Sequence, residues 1–111
     1  MKTSDIRLKV ELDKDNYPEK IFWEATDAPV IGLQETKAMS LSIWDQQSQD
    51  TLQIGLWTKD MPVDEMERFS LGVLDAMAST LHTATGDDYI AEQIRQARKN
   101  ITEYIASKEQ R

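Results

Sequence analysis

The sequence predicts an α+β fold, a four-stranded antiparallel sheet of two hairpins followed by two amphipathic helices packed on one face. Three observations carry this. Up to Trp57, apolar and polar residues alternate, the period of a strand with one buried face. Beyond Met66, apolar residues recur every three to four positions, the period of a helix. Between the two regimes, Leu56–Met66 carries helix-start chemistry, features that could also make a functional loop. There Asp60 is placed to accept from unpaired amides of a first turn. Pro62 has no N–H to leave unsatisfied, and Asp64 and Glu65 put negative charge at the positive end of the helix dipole.

Ile6, Leu8, Val10 and Leu12 alternate with Arg7, Lys9 and Glu11, giving a first strand. The polar cluster Asp13–Pro18 reads as a turn. Ile21, Trp23 and Ala25 form the inward set of a second strand, in hairpin spacing with the first. Thr26–Gln34, with Pro29 and Gly32, reads as a loop. Met39, Leu41 and Ile43 mark a third strand running to about Asp45. After the polar turn Gln46–Asp50, Leu52, Ile54 and Leu56 mark a fourth. The strands together span about residues 5–58 and the helices about 61–106. Met66, Phe69, Val73, Leu74, Met77 and Leu81 share one face of the first helix. Gly86 suits a left-handed stop, and Asp87 or Asp88 suits the cap of a second helix with the stripe Ile90, Ile94, Ala97, Ile101 and Ile105. At 111 residues, one domain spanning 1–111 is expected, large enough to bury a core without staples.

Phe22, Trp44 and Trp57 break the pattern. Each sits at the parity opposite to its strand's apolar set, on the face an antiparallel sheet usually leaves polar. Two readings stay open: an exposed aromatic patch used for partner binding, or single residues near edges and bulges. Because a short turn joins their strands, Trp44 and Trp57 are expected to be neighbours or near neighbours across the sheet.

The residues suggest no catalytic chemistry. Without cysteine, neither disulfides nor thiolate metal sites are possible. His82 is the sole histidine and has no acidic residue at helical spacing before it, a poor metal site. Asp13, Asp15, Asn16 and Glu24 superficially resemble a calcium loop, but Pro18 stands where that loop needs glycine. Asp60, Asp64, Glu65 and Glu67 cluster, and capping and dipole roles account for the first three. No phosphate loop, nucleophile elbow or nucleic-acid motif is visible. The expectation is a protein with no cofactor and no metal. A net charge of −7 disfavours nucleic acid and anionic lipid surfaces. The amino-terminal stretch shows no secretory signal and no segment approaches a membrane span, so a cytoplasmic location is expected.

Four segments together resemble the gliding-motility-associated GldC family of Bacteroidota. They are Ile6–Asp13, Pro18–Trp23, Ser42–Asp45 and, most specifically, Leu56–Met66, within a similarity running from about Ser4 to Asp88. The resemblance implies a small cytoplasmic accessory of the gliding apparatus, linked to type IX secretion, with no enzymatic activity. The order of four strands then two helices is also similar to that of the SecB export chaperone, an analogy of fold alone. The expected function is therefore protein–protein binding within the gliding machinery, through Phe22, Trp44 and Trp57, by a homo-oligomer. The alternative is a chaperone of unfolded export clients.

Overall fold

A computed structural model describes residues 2–109 of the chain. The fold is α+β, with five strands in two antiparallel sheets and two helices. The chain divides between Pro62 and Val63 into two compact units, one of strands and one of helices.

In the strand unit, β1 (Ile6–Leu12) and β2 (Pro18–Ala25) form the expected hairpin. Their register sets Ile6, Leu8 and Val10 opposite Ala25, Trp23 and Ile21. A register shift follows at Glu11/Leu12. Asp13 shapes the connecting turn, and Asn16 adopts a left-handed φ of 68° there. At the other end, Thr26 and Asp5 exchange backbone and side-chain hydrogen bonds that hold the strand ends together.

The third predicted strand is longer than expected and is broken in two. Residues read as the end of a loop and a start at Met39 instead form β3 (Gln34–Thr36), paired with β2, and β4 (Ala38–Asp45). Only β4 pairs with β5 (Asp50–Trp57). The four-stranded single sheet is thus replaced by the order β1-β2-β3 and a separate β4-β5 ribbon. Thr36 supplies a local cause. Its hydroxyl donates to the Ala38 carbonyl at 3.2 Å and accepts from the Ala38 amide at 3.5 Å. Such bonds draw the backbone away from a regular ladder. Lys37 sits at the break, and its carbonyl accepts the Thr58 amide at 2.9 Å, prolonging the β4–β5 pairing by one step.

The core of this unit is small. Ile21 is fully buried and Ala38 nearly so, whereas Ile6, Leu8, Leu12, Ile43, Leu52 and Ile54 are exposed. These six belong to the alternating apolar sets of β1, β4 and β5.

In the helical unit, α1 (Val63–Thr85) and α2 (Asp88–Glu109) pack as an antiparallel pair. Gly86 takes a φ of 71° and donates its amide to the His82 carbonyl, the expected helix stop. Asp87 caps α2 by accepting the amides of Tyr89 and Ile90. The buried seam runs through Leu71, Ala78 and Ala91, with Ile94 and Ile105 half-buried beside it. Small alanines let two backbones approach closely. Two ion pairs tie the helices across this seam: Arg98 to Asp75 at 2.8 Å and Lys108 to Glu67 at 2.9 Å. Met77, Ile90 and Ile101, expected in the apolar stripes, remain exposed.

Candidate interaction surface

The β4–β5 ribbon is built from eight matched pairs without a bulge. Met39/Leu56, Leu41/Ile54 and Ile43/Leu52 stack their side chains on one face. The opposite face carries Ala38/Trp57, Ser40/Gly55, Ser42/Gln53 and Trp44/Thr51. Strand alternation dictates this division, since a side-chain period of two cannot place both sets together. On the polar face, the Gln53 amide donates to Ser40 at 2.7 Å, and Gln53 also accepts from the Ser42 hydroxyl. At the turn, Asp45 accepts from the Ser48 hydroxyl at 2.6 Å. That bond is the main reason its carboxyl lies below its ordinary value.

The three predicted aromatics do not form one patch. Trp44 and Trp57 share a face and are 56 % and 59 % exposed, but the register puts them at opposite ends of the ribbon. Six strand steps, at about 3.3 Å each, separate their rungs by roughly 20 Å, so they are not neighbours. Phe22 belongs to the other sheet. It is half-buried, pairs with Lys9 and Glu35, and lies 5.9 Å from the Lys9 ammonium. A short turn joins the strands of Trp44 and Trp57, but their rungs lie at its near and far ends.

Trp57 has other company. With Tyr17, Pro18, Gly55, Leu56 and Lys59 it lines an open cavity of about 410 Å³. The Lys59 ammonium stands 5.3 Å from the Tyr17 ring and 3.2 Å from Asp13. Tyr17 and Pro18 appear in the sequence only as turn residues. The available signal was a large aromatic inside an otherwise polar turn.

The helix-start residues divide. Asp64 and Glu65 lie in the first turn of α1, as the dipole argument requires. Pro62 immediately precedes that helix. Asp60 is used differently from the cap expected of it. Its carboxylate accepts from the buried Thr58 hydroxyl at 2.6 Å and pairs with Lys37 at 3.7 Å. The Thr58 bond, then the Lys37 charge, hold its carboxyl below the ordinary value. His82 contacts Asp88 at 2.6 Å, both exposed. Among the described residues, no three histidine, aspartate or glutamate side chains converge as a metal site would require. No helix among them is long and apolar enough to cross a membrane.

Comparison with known protein families gives a match between residues 18–107 and the family described as gliding motility-associated protein GldC-like. No curated protein and no solved structure matches the chain.

Proposed function

The chain belongs to the GldC-like family of gliding motility-associated proteins, and from that premise we propose that it is a non-enzymatic, cytoplasmic accessory of the gliding apparatus that acts by binding protein. One observation carries the reading. The β4–β5 ribbon exposes Ile43, Leu52 and Ile54 on one face and Trp44 and Trp57 on the other. Exposed contiguous apolar surface is characteristic of interaction sites, and tryptophan is enriched among interface residues that dominate binding energy. The rungs of the two tryptophans lie roughly 20 Å apart, which makes them two anchors of an extended contact. In this reading the partner belongs to the gliding machinery and its associated type IX secretion system, and no cofactor takes part.

The test is capture from the native cell with wild-type bait and with the double variant Trp44→Ser/Trp57→Ser, alongside motility of cells carrying each form. The expected result is a folded double variant that loses both its captured partner and gliding. Unchanged capture and unchanged gliding would overturn the reading. A chaperone role has its own signature in the same protein: strong binding of an apolar-surface dye together with suppression of client aggregation.

A further inference from the structure

The turn before β2 and the end of β5 line one slot, and both are held rigidly. The Asp13 amide donates to the Tyr17 carbonyl at 2.8 Å, and the Tyr17 amide donates to the Asp13 carboxylate at 3.0 Å, which closes the turn on itself. Pro18, with its fixed φ, opens β2 beside Tyr17. Trp57 lines the same cavity, and its backbone is fixed by pairing with Ala38. Gly55 lies on the same face of β5 as Trp57 and lines the cavity too, so no side chain fills the slot there. Tyr17 and Trp57 are both more than half exposed. Their ring faces, the Tyr17 hydroxyl and the Trp57 indole N–H are therefore accessible to a ligand.

The slot runs on into a polar cavity of about 450 Å³ with which it shares Pro18 and Lys59. There the carboxylates of Asp13, Glu19, Glu35 and Asp60 meet three lysines. Two of the lysines are taken, Lys59 by Asp13 and Lys37 by Asp60. That leaves the exposed Glu19 and Glu35 against the single ammonium of Lys20, on a chain whose net charge is −7. The surface thus offers an apolar, aromatic end and an acidic end, and its field attracts a basic ligand and repels an acidic one.

We propose that the slot binds an extended, proline-rich segment of a partner protein, its rings against Tyr17 and Trp57 and an arginine of the same segment over Glu19 and Glu35. A polyproline II chain makes no internal hydrogen bonds, so its carbonyls are free to accept from the Tyr17 hydroxyl and the Trp57 N–H. Its rings pack on aromatic faces, and it is stiff before it binds, so little entropy is lost in an open, shallow site. The acidic surplus beside the slot answers the arginine. The inference rests on the reading of the chain as a protein-binding module and names the chemistry recognised at its Trp57 anchor.

Isothermal titration calorimetry of the full chain with a synthetic proline-repeat peptide carrying two arginines at one end tests it. Wild type should bind saturably, one peptide per chain. Exchanging the peptide's prolines for alanines, or its arginines for glutamates, should weaken binding by about tenfold or more. Gly55→Val puts a strand-compatible side chain into the slot, and Tyr17→Leu removes a ring and a hydroxyl. Each should weaken binding by about tenfold or more, with folding established by circular dichroism. Tyr17→Leu carries the test if Gly55→Val does not fold. Trp44→Ser, at the far end of the ribbon, should bind as wild type does. A wild type that binds no peptide would overturn the proposal. Equal binding of the alanine peptide would replace it with a contact made by charge alone, and equal binding of the glutamate peptide with one made by apolar surface alone. Undiminished binding by Tyr17→Leu or by folded Gly55→Val, or a loss in Trp44→Ser as large as theirs, would move the peptide to another surface and defeat it as well. Cell capture and motility are read separately. Tryptophan-dependent gliding in a chain that binds no peptide defeats the proline-rich occupant alone, and peptide binding with tryptophans dispensable for gliding defeats the functional reading alone.

Discussion

Asp13 shows how one carboxylate organises a turn. It accepts the amides of Asp15 at 2.8 Å and Tyr17 at 3.0 Å while pairing with Lys59 at 3.2 Å. The Tyr17 amide is the main cause of its lowered pKa, with the Asp15 amide and Lys59 adding. The sign follows from linkage: a carboxyl with a lowered folded pKa stabilises the fold fully above its ordinary value of 3.8 and ceases to as pH falls below it. Asp13→Asn keeps an acceptor oxygen for both amides but cannot titrate. Its urea midpoint should change little at neutral pH and fall less than wild type's as pH drops below 3.8, where the wild-type carboxyl begins to lose its contribution. Asp13→Ala should be less stable at neutral pH as well. Asp60 gives a second comparison. Asp60→Ala strands the buried Thr58 hydroxyl, whereas Thr58→Val lets the exposed carboxylate return to water. Asp60→Ala should therefore lower the urea midpoint more than Thr58→Val. Here sequence reasoning found a residue that matters and misassigned its task. A hydroxyl two positions earlier competes for the same carboxylate, and periodicity carries no trace of that competition.

At the scale of elements, alternation located the strand regions, and a change of period located the helices. The break at Lys37 was not legible because Thr36 and Ala38 look like ordinary strand residues. The seam between the helices was obscured for a related reason. Ala78 and Ala91 are weakly apolar, so the larger Phe69, Val73 and Met77 drew the stripe to a neighbouring face. Two glycines give opposite predictions for one substitution. Gly72 lies within α1 with open space around it, so Gly72→Ala should stabilise by about 0.5–1 kcal/mol in denaturant titrations. Gly86 also has open space but holds a φ of 71°, so Gly86→Ala should cost about 1 kcal/mol on conformation alone. Ala78→Leu should cost about 1–3 kcal/mol by overpacking the seam, whereas Met77→Leu, on an exposed neighbour, should lie within about 0.5 kcal/mol of wild type.

For the whole molecule, charge makes a prediction that separates an uncharged contact from an ionic one. If copies of the chain associate through apolar surface, added salt screens the repulsion between two chains of −7. The dimer fraction should then rise between low and moderate salt in sedimentation measurements, and a contact made of ion pairs would show the reverse. The family was legible in the sequence because Leu56–Met66 is long and specific. The aromatic surface was not, because residue parity shows which face a side chain takes and says nothing of the distance along it. The placement of the tryptophans has an optical consequence. Trp23, Trp44 and Trp57 all precede Pro62, and the helical unit has none. Tryptophan fluorescence, excited selectively over Tyr89 and Tyr104 of α2, is thus a private channel for the strand unit, while the 222 nm ellipticity is dominated by α1 and α2. Melting curves at the two wavelengths from one unlabelled sample report each half of the chain in its own voice, and their coincidence or separation measures how strongly the halves unfold together.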